Sequence, residues 1–436
     1  MPTTLTARRT IAERYAETFP NSQRLYARAT SLFPNGVTHD LRYLQPFPVY
    51  VERAEGSHKW DVDGHELIDW WSGHGSIMLG HSHPDVVEAV QLQMGRMTHP
   101  GACHELELDW GEAIRGLKPS VEKMRFVNSG TEATLMALRL AHMFSGKPKV
   151  LKFQGHFHGW HDFLIQAADP PYDTVVPGLD PVMLANLVVV PPNDLNIVEQ
   201  TLSRDKQIAC VILEPTGGHY GAVPMRGEFL RGLREITARH NVLLIFDEVI
   251  TGFRVHPGGA QGHYQIRPDL TTMAKIVAGG LPGGCLGGRA DVLELLEFSQ
   301  QPNRKMPHPG TFNANPLSAA AGITTLRIVA SGAPCRQANR TGALLRAKIN
   351  DLFAAENVPW ACYGDFSGFK ILTNYSGPRP TSGPNNIDGG FIPYGGDFAK
   401  LDGKPDPKLK HAFRQALLLN GIDLPGLAGM ANASHS

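Results

Sequence analysis

The apolar run at residues 242–246, which ends in an acid at Asp247, constrains the fold of this chain more than any other stretch. Residues 242–249 read Val-Leu-Leu-Ile-Phe-Asp-Glu-Val. Five apolar residues in succession predict a strand that is buried on both faces, as the strands of a parallel sheet are. Open sheets of this kind bind ligands at the carboxyl ends of their strands. We therefore expect Asp247 to deliver a carboxylate to a binding crevice.

A lysine with apolar neighbours follows this predicted strand. Lys275 lies between Met-Ala and Ile-Val, just before the glycine-rich run at 278–284. A lysine in such surroundings loses basicity through desolvation and becomes a nucleophile near neutral pH, whereas a surface lysine, the usual case, has polar neighbours. Pyridoxal phosphate requires an amine that forms an imine and an anion that keeps its pyridine nitrogen protonated. Lys275 and Asp247 are the candidates for these two roles.

Composition and charge narrow the class of protein. A chain of 436 residues with 42% hydrophobic residues suggests two or three packed regions. Lys and Arg together number 41, as do Asp and Glu, so the charge favours neither nucleic acid nor a membrane surface as a partner. The five cysteines are scattered and odd in number, and no run has signal-peptide or membrane-span length. We expect a cytoplasmic protein that acts on small molecules.

The order of predicted elements indicates an α/β fold. Apolar strand candidates at 123–127, 150–153, 187–190 and 208–213 alternate with helical patterns, as in a mostly parallel central sheet flanked by helices. We predict a large domain at 63–330. Residues 1–62, with a helix at about 7–32 and an extended arm, and residues 331–436 should form a smaller α+β domain from both chain ends.

The segment 128–132, Asn-Ser-Gly-Thr-Glu, joins a predicted strand to a predicted helix. Small residues at a helix N-terminus leave backbone N–H groups free, and both hydrogen bonds and the helix dipole favour a phosphate there. Ser129, Gly130 and Thr131 are therefore candidate phosphate ligands. The alternative is an ordinary helix N-cap formed by Ser129 or Thr131.

The loop at 155–162 contains three histidines at positions 156, 158 and 161. Their spacing does not place three ligands on one helical face, so we predict no metal, although a metal site remains the alternative interpretation. Phe157 is presented by a glycine-flanked loop and is a candidate for stacking on a flat ring; packing in a core is the alternative.

Three further residues are candidates on weaker grounds. Glu214 follows the predicted strand at 208–213 and either lines the same crevice as Asp247 or is a solvated loop carboxylate. Val249 points to the same face as Asp247, where it either contacts the ring or packs in the core. Thr311, in a polar turn before an alanine-rich helix, either donates its hydroxyl to a phosphate or caps that helix.

Taken in order, these motifs resemble the class III pyridoxal-phosphate aminotransferases. The resemblance extends from about residue 33 to the end of the chain. It depends on five motifs: residues 128–132, His158-Gly159, Asp247-Glu248-Val249, Lys275 with its glycine-rich run, and Gly310-Thr311-Phe312. It implies fold type I of the pyridoxal-phosphate enzymes and a homodimer with active sites at the subunit interface.

The resemblance also implies a role for individual residues. Lys275 would form the covalent bond to the cofactor and shuttle the proton, Asp247 would hold the pyridinium, and Thr311 would reach the phosphate of the neighbouring subunit. Arg42 falls where family members use an arginine to bind the substrate carboxylate bidentately. The residues predicted to contact the cofactor are Ser129, Gly130, Thr131, Phe157, His158, Glu214, Asp247, Val249, Lys275 and Thr311.

Within the family, residues 33–37, 245–254 and 286–289 resemble the glutamate-1-semialdehyde aminomutase subgroup. Residues 158–163, 278–284 and 365–369 are similar to the D-phenylglycine aminotransferases of that subgroup. The chain departs from the aminomutases at residues 39–41, which replace a Ser-Pro step, and around 427–429, where their acidic gate is missing.

Because of these departures, the sequence predicts an aminotransferase. Its ping-pong reaction would move an amino group from an amino acid, aromatic, D- or β-, to a 2-oxo acid. The first alternative is the aminomutase itself, an isomerase. Two more distant classes stay open as well. One is a binding or regulatory protein that retains the cofactor-binding site but does not catalyse turnover, and the other is a metal hydrolase.

Overall fold

The computed structural model describes residues 9–298, 305–380, 387, 390–403 and 405–436. Its strands belong to three sheets. In chain order they are β1 (Val51–Glu55), β2 (His58–Asp61), β3 (Glu66–Asp69), β4 (Lys123–Val127), β5 (Lys149–Phe153), β6 (Leu187–Val190), β7 (Ile208–Leu213), β8 (Leu243–Asp247), β9 (Leu270–Ala274), β10 (Gly284–Gly288), β11 (Trp360–Tyr363), β12 (Gly368–Thr373), β13 (Ile422–Asp423) and β14 (Ala428–Met430).

The large sheet has seven strands in the order β4-β10-β9-β8-β7-β5-β6. All neighbours from β9 to β6 pair in parallel, whereas β10 is antiparallel to both β9 and β4. The apolar run at 242–246 forms β8, whose residues are all buried. The predicted fold, a mostly parallel sheet flanked by helices, is confirmed.

Helices pack on both faces of this sheet. Along β8, Leu243 and Ile245 pack with the helix Gly130–Ser145, while Leu244 and Phe246 pack with helices on the other face. The helices are Ile11–Thr18, Pro20–Ala29, Pro84–Met94, Glu105–Leu117, Gly130–Ser145, Leu195–Arg204, Gly227–Arg239, Gly259–Tyr264, Ala290–Leu293, Pro316–Val329, Ala333–Ala355, Phe398–Leu401 and Pro407–Leu418, with two helical turns, Ser72–Gly75 and Gly218–Gly221, that contain left-handed residues. Within the described ranges, no helix combines the length and apolar character needed to cross a bilayer.

The helix predicted at about 7–32 is two helices. Pro20 begins the second helix, and Phe19 between them has non-helical angles, φ −118° and ψ 53°. Proline is accepted at the first position of a helix, where the missing N–H has no intrahelical partner, but interrupts a helix elsewhere. Residues 7 and 8 of the predicted helix lie outside the described residues.

The two chain ends meet in a small sheet of order β1-β2-β3-β13. In it, β13 from the C-terminal region pairs in parallel with β3. A second small sheet, β11-β12-β14, packs against the helix Ala333–Ala355. The smaller α+β part built from both ends is therefore confirmed, while the boundaries at residues 62 and 330 stay a prediction.

A network of charges joins the strands of the first small sheet. The Lys59 ammonium lies 3.1 Å from the carboxylate of Asp69 and 2.5 Å from that of Asp423. His81 Nε2 lies 2.6 Å from Asp69, and the N–H of Trp71 donates to the same carboxylate. Burial by itself would raise the pKa of Asp69, but the His81 hydrogen bond, the Lys59 charge and the Trp71 N–H together lower it below its ordinary value.

We expect Asp69→Asn to destabilise the protein by about 3 kcal/mol at pH 7, because it removes the buried charge that His81 contacts and leaves Lys59 paired with Asp423 alone. The pKa of Asp69 is lowered in the folded protein, so its contribution is present above the ordinary carboxyl pKa of about 3.9 and is lost as the pH falls below it. Urea unfolding at pH 7 and pH 3 measures this difference. An equal loss of stability at both pH values would contradict the prediction.

Candidate active site

The candidate site lies at the carboxyl ends of the parallel strands. Asp247 ends β8, Lys275 directly follows β9, and Glu214 directly follows β7. The loop after β5 adds His158, and β4 leads to Ser129 at the start of the helix Gly130–Ser145. The topology therefore gathers residues that are far apart in sequence along one edge of the sheet, as predicted for Asp247 and Lys275.

The Asp247 carboxylate is 4% exposed and accepts hydrogen bonds from three groups. His158 Nδ1 lies 2.7 Å from Oδ2, while the Thr272 hydroxyl and the Val249 N–H donate to Oδ1, each at 3.1 Å. Because a carboxylate accepts only, His158 carries its proton on Nδ1. A carboxylate has about four acceptor positions, so one remains for a further donor such as a protonated ring nitrogen.

Lys275 is partly buried and has a left-handed backbone, with φ +56°. Burial lowers the pKa of its amine to about 8, against the attraction of the Glu214 and Asp247 carboxylates and with the help of the Arg254 charge. In the described part of the chain, no hydrogen bond holds the amine. A strained lysine backbone and a weakly basic, unbonded amine together suit a nucleophile.

The N-terminus of the helix Gly130–Ser145 has the features of a phosphate site. The Ser129 hydroxyl accepts from the N–H of Glu132 at 3.2 Å, and the Glu132 carboxylate accepts from the N–H of Asn128 at 2.7 Å. Ser129 is thus an N-cap, as its alternative interpretation predicts. This cap leaves the N–H groups of Gly130 and Thr131 without a protein partner among the described residues, so capping and phosphate binding are compatible.

Two glycines allow close packing around this N-terminus. A Cβ atom at Gly130 would lie 2.8 Å from Cγ2 of Val249, and one at Gly159 would lie 2.7 Å from Oγ1 of Thr131. Val249 therefore packs against the start of the helix, next to Asp247. The predicted phosphate ligands and the predicted ring contact share one small region.

Glu214 binds backbone rather than solvent, so the solvated interpretation is wrong. Its buried carboxylate accepts from the N–H groups of Phe157, His219 and Tyr220 at 2.9, 3.0 and 3.3 Å. The Phe157 ring is 42% exposed and stacks on His219 with a centroid distance of 6.2 Å. Core packing is thus excluded for Phe157, and its contact with the cofactor stays a prediction.

The three histidines of the loop each have a different partner. His156 Nδ1 accepts from the N–H of Glu214 at 3.0 Å, His158 bonds Asp247, and His161 Nε2 lies 3.1 Å from the Thr134 hydroxyl. Within the described ranges, no three histidine, cysteine or acidic side chains are grouped as a metal site would require. The metal interpretation therefore has no geometric support.

The remaining two predicted residues, Arg42 and Thr311, are both on the surface. Arg42 is exposed, and its Nη1 donates to the Thr38 hydroxyl at 2.8 Å. Thr311 is also exposed, in a turn whose Asn313 accepts from the Asn128 amide at 3.1 Å. That turn therefore lies beside residues 128–132, the predicted phosphate-binding segment, of its own chain. The reach of Thr311 to a second subunit stays a prediction.

Several residues of the site were not predicted. Thr272 is the direct register partner of Asp247 on β9, which only the strand order reveals. Lys152 is fully buried and donates to the carbonyl groups of His156, Leu164 and Gln166 at 2.9, 2.8 and 2.8 Å. A lysine in the middle of an apolar strand is the signal in the sequence that could have identified Lys152.

These residues fit pyridoxal phosphate. The free acceptor position on Asp247 suits a protonated ring nitrogen, and Lys275 offers an unbonded amine. The N–H groups of Gly130 and Thr131, which have no protein partner among the described residues, suit a phosphate at the helix N-terminus. The buried Nε2 of His158 has no partner among the described residues, which leaves one more polar atom free in the region.

Comparison with known proteins agrees with this geometry. A model of the family aminotransferase class-III matches residues 41–362. A glutamate-1-semialdehyde 2,1-aminomutase of Methanothrix thermoacetophila is 42% identical over 365 residues, 83% of each chain. An omega-transaminase structure from Sphaerobacter thermophilus has a TM-score of 0.84 at 31% identity, over 95% of this chain and 93% of that one. A glutamate-1-semialdehyde aminomutase structure from Pseudomonas aeruginosa PAO1 has a TM-score of 0.83 at 25% identity, over 98% of this chain and 93% of that one.

These relatives correct the function predicted from sequence. The prediction of an aminotransferase that exchanges amino groups between an amino acid and a 2-oxo acid is wrong, because relatives at 38 to 44% identity carry the aminomutase description. The prediction depended on two short departures, at 39–41 and 427–429. The second of these overlaps β14, where a Cβ at Gly429 would lie 2.6 Å from both Leu424 and Phe369. This tight packing stabilises the sheet, so the sequence at 427–429 says little about the reaction.

We expect Gly130→Ala to weaken cofactor binding by roughly tenfold or more, because its methyl group would overlap Val249, and overpacking costs ~1–3 kcal/mol. Absorbance titration of the apoprotein with pyridoxal phosphate measures the dissociation constant. Gly116→Ala is the matched control, since a Cβ at that helical glycine meets no atom within 4 Å. Equal affinities in the two variants would contradict the steric argument.

The basicity of Lys275 predicts how fast the apoprotein captures pyridoxal phosphate. Only the uncharged amine attacks an aldehyde, and the pKa of about 8 leaves about one amine in ten uncharged at pH 7. We expect the rate of covalent attachment to rise about tenfold per pH unit up to pH 8 and then to level off. Stopped-flow absorbance follows it, with Lys275→Ala as the blank. A rise that continues to pH 10 would indicate an ordinary lysine.

Proposed function

Because the chain belongs to the class III aminotransferase family, whose cofactor is pyridoxal phosphate, we propose that it is a glutamate-1-semialdehyde 2,1-aminomutase. The observation that carries this proposal is the 42% identity to the Methanothrix thermoacetophila enzyme of that description, over 83% of both chains. The reaction moves an amino group from carbon 2 to carbon 1 of one substrate and yields 5-aminolevulinate.

Lys275 is the proposed proton carrier. Bound pyridoxal phosphate supplies an aldehyde for covalent attachment and a protonated ring that accepts the electrons of a broken C–H bond. The Lys275 amine would move a proton between a substrate carbon and the cofactor carbon, in opposite directions in the two halves of the reaction. Its pKa of about 8 lets it act as a base and then as an acid near neutral pH, since both forms are populated there.

Asp247 is proposed to keep the proton on the ring nitrogen. Its carboxylate is fixed by His158, Thr272 and the Val249 N–H, so little reorganisation accompanies the reaction. The N–H groups of Gly130 and Thr131 are proposed to bind the phosphate, and Phe157 to contact the ring. Roles for Ser129, His158, Glu214 and Val249 in shaping the pocket are supported by their contacts described above.

Arg42 and Thr311 complete the proposed site. Arg42 binds the substrate carboxylate at the entrance, where it is exposed and one of its Nη atoms is bonded to Thr38. The exposed Thr311 donates to the cofactor phosphate of a second subunit, so we propose a homodimer. We also propose that the protein works in the cytoplasm, because four of its five cysteines are buried as free thiols and the fifth is free and exposed.

We expect the protein loaded with pyridoxamine phosphate to convert glutamate-1-semialdehyde to 5-aminolevulinate with no added amino donor or 2-oxo acid. An intramolecular transfer consumes neither, so the yield of 5-aminolevulinate should exceed the amount of enzyme many times. Lys275→Ala should lower the rate by at least about a thousandfold, because it removes the proposed proton carrier. Formation of at most one product per enzyme molecule would contradict the proposal.

A further inference from the structure

A strained turn lies next to the active site. Four consecutive residues, Ser72, Gly73, His74 and Gly75, have left-handed backbones, with φ of 50°, 60°, 57° and 81°. Side chains larger than glycine rarely adopt this conformation. Backbone strain of this kind persists only where the surroundings enforce it, and it concentrates at functional sites. We refer to residues 72–75 as the left-handed turn.

Buried side chains hold the left-handed turn in place. Arg254, which is fully buried, donates to the carbonyl of Gly75 at 2.8 Å. The Asn432 amide donates to the Ser72 hydroxyl at 3.0 Å, and both residues are buried. A Cβ at Gly75 would lie 3.9 Å from Cγ2 of Ile250, three residues after the end of β8. The turn is therefore fixed against the segment that follows Asp247.

The left-handed turn presents His74 in one tautomer. The indole Nε1 of Trp71 lies 2.8 Å from Nδ1 of His74, and an indole nitrogen can only donate. His74 Nδ1 is therefore the acceptor, and the ring proton is on Nε2. Among the described residues, Nε2 has no hydrogen-bond partner. The turn thus offers one N–H donor of fixed orientation.

The surroundings of the His74 ring keep it uncharged. The His74 ring lies 4.6 Å from that of His39, which precedes the short helix Asp40–Arg42. Burial, and then the charges of His39, Arg42, Lys275 and Lys59, lower the pKa of His74 to about 4. His74 is consequently neutral at physiological pH, and its free Nε2–H can donate to an anion.

We propose that His74 is a substrate-binding residue whose Nε2–H donates a hydrogen bond to a carboxylate oxygen of the substrate, beside the Arg42 guanidinium. This inference goes beyond the proposed function, which gives the carboxylate to Arg42 alone. It rests on that function only in requiring that the substrate has a carboxylate. The left-handed turn then serves recognition: its strain sets the direction of one donor.

Binding of 4-oxopentanoate to the pyridoxal-phosphate form tests the proposal, because this five-carbon oxo acid has no amino group and is not turned over. Isothermal titration calorimetry should show that His74→Phe binds it roughly tenfold more weakly, and that His74→Gln, which restores an N–H donor, comes within about threefold of the unsubstituted protein. Pentan-2-one, which lacks the carboxylate, should bind equally to all three. If His74→Phe weakens both ligands equally, the role is structural and the proposal is wrong.

Two further variants make the test independent of folding. His142→Phe is the matched control, since it is another partly buried histidine, in the helix Gly130–Ser145, and it should bind 4-oxopentanoate normally. If His74→Phe does not take up cofactor, His74→Asn replaces it, because asparagine tolerates a left-handed backbone but its amide reaches less far. The same tenfold loss is expected, and normal binding would overturn the proposal.

The outcomes also separate this inference from the proposed function. If binding of 4-oxopentanoate depends on His74 but no 5-aminolevulinate forms, the aminomutase proposal fails and the role of His74 stands. If 5-aminolevulinate forms but His74→Phe binds the oxo acid like the unsubstituted protein, the aminomutase proposal stands and the role of His74 is refuted.

Discussion

The burial of the Asp247 carboxylate is the constraint on which the rest of the site depends. A buried charge is stable only when hydrogen bonds or an opposite charge replace the water it has lost. Here the bonds come from three different segments: Thr272 on the neighbouring strand, the N–H of Val249 and His158 on the loop after β5. The hydrogen bonds to this one carboxylate therefore fix the relative positions of β8, β9 and that loop. They also fix the position of Lys275, which lies three residues after Thr272.

The loop after β5 has its own internal requirement. A loop without regular secondary structure that is buried must still satisfy its backbone groups. The buried ammonium of Lys152 donates hydrogen bonds to three carbonyl groups of this loop. The buried carboxylate of Glu214 accepts from the N–H of Phe157 and from two N–H groups of the segment 218–221. Lys152 thus binds backbone acceptors of the loop, and Glu214 binds backbone donors. Together they fix the loop that positions His158 against Asp247.

Local patterns in the sequence were sufficient to predict β8, a helix after residues 128–132 and the unusual setting of Lys275, because burial on both faces leaves a continuous apolar run. Contacts between distant segments were not predictable in this way. His158 and Asp247 are 89 residues apart, and nothing in either segment specifies the other. The antiparallel insertion of β10 between β4 and β9 likewise depends on strand order, which a single sequence does not encode locally.

The error about the reaction has a physical origin as well. Aminotransferases and aminomutases need the same proton carrier, ring counter-ion and phosphate site, and our candidates for all three lie along the large sheet, so motifs along the sheet identify the family and not the product. What separates the two reactions is how long the substrate is retained and how it is oriented. The residues that we propose to contact the substrate, Arg42 and His74, come instead from the N-terminal region. Arg254 donates to the carbonyl groups of Gly75 and Ala431 and so ties the N-terminal and C-terminal regions to the end of β8.

The guanidinium of Arg254 is buried, and its bonds to protein in the described residues go to carbonyl groups rather than to a carboxylate. Its positive charge is therefore not neutralised by an ion pair there, and it helps to lower the pKa of Lys275. A paired arginine could hold the same two carbonyl groups but would have less effect on the amine. Arg254 thus links the position of the left-handed turn to the basicity of Lys275, so the proposed substrate-binding turn and the proposed proton carrier are not independent of each other.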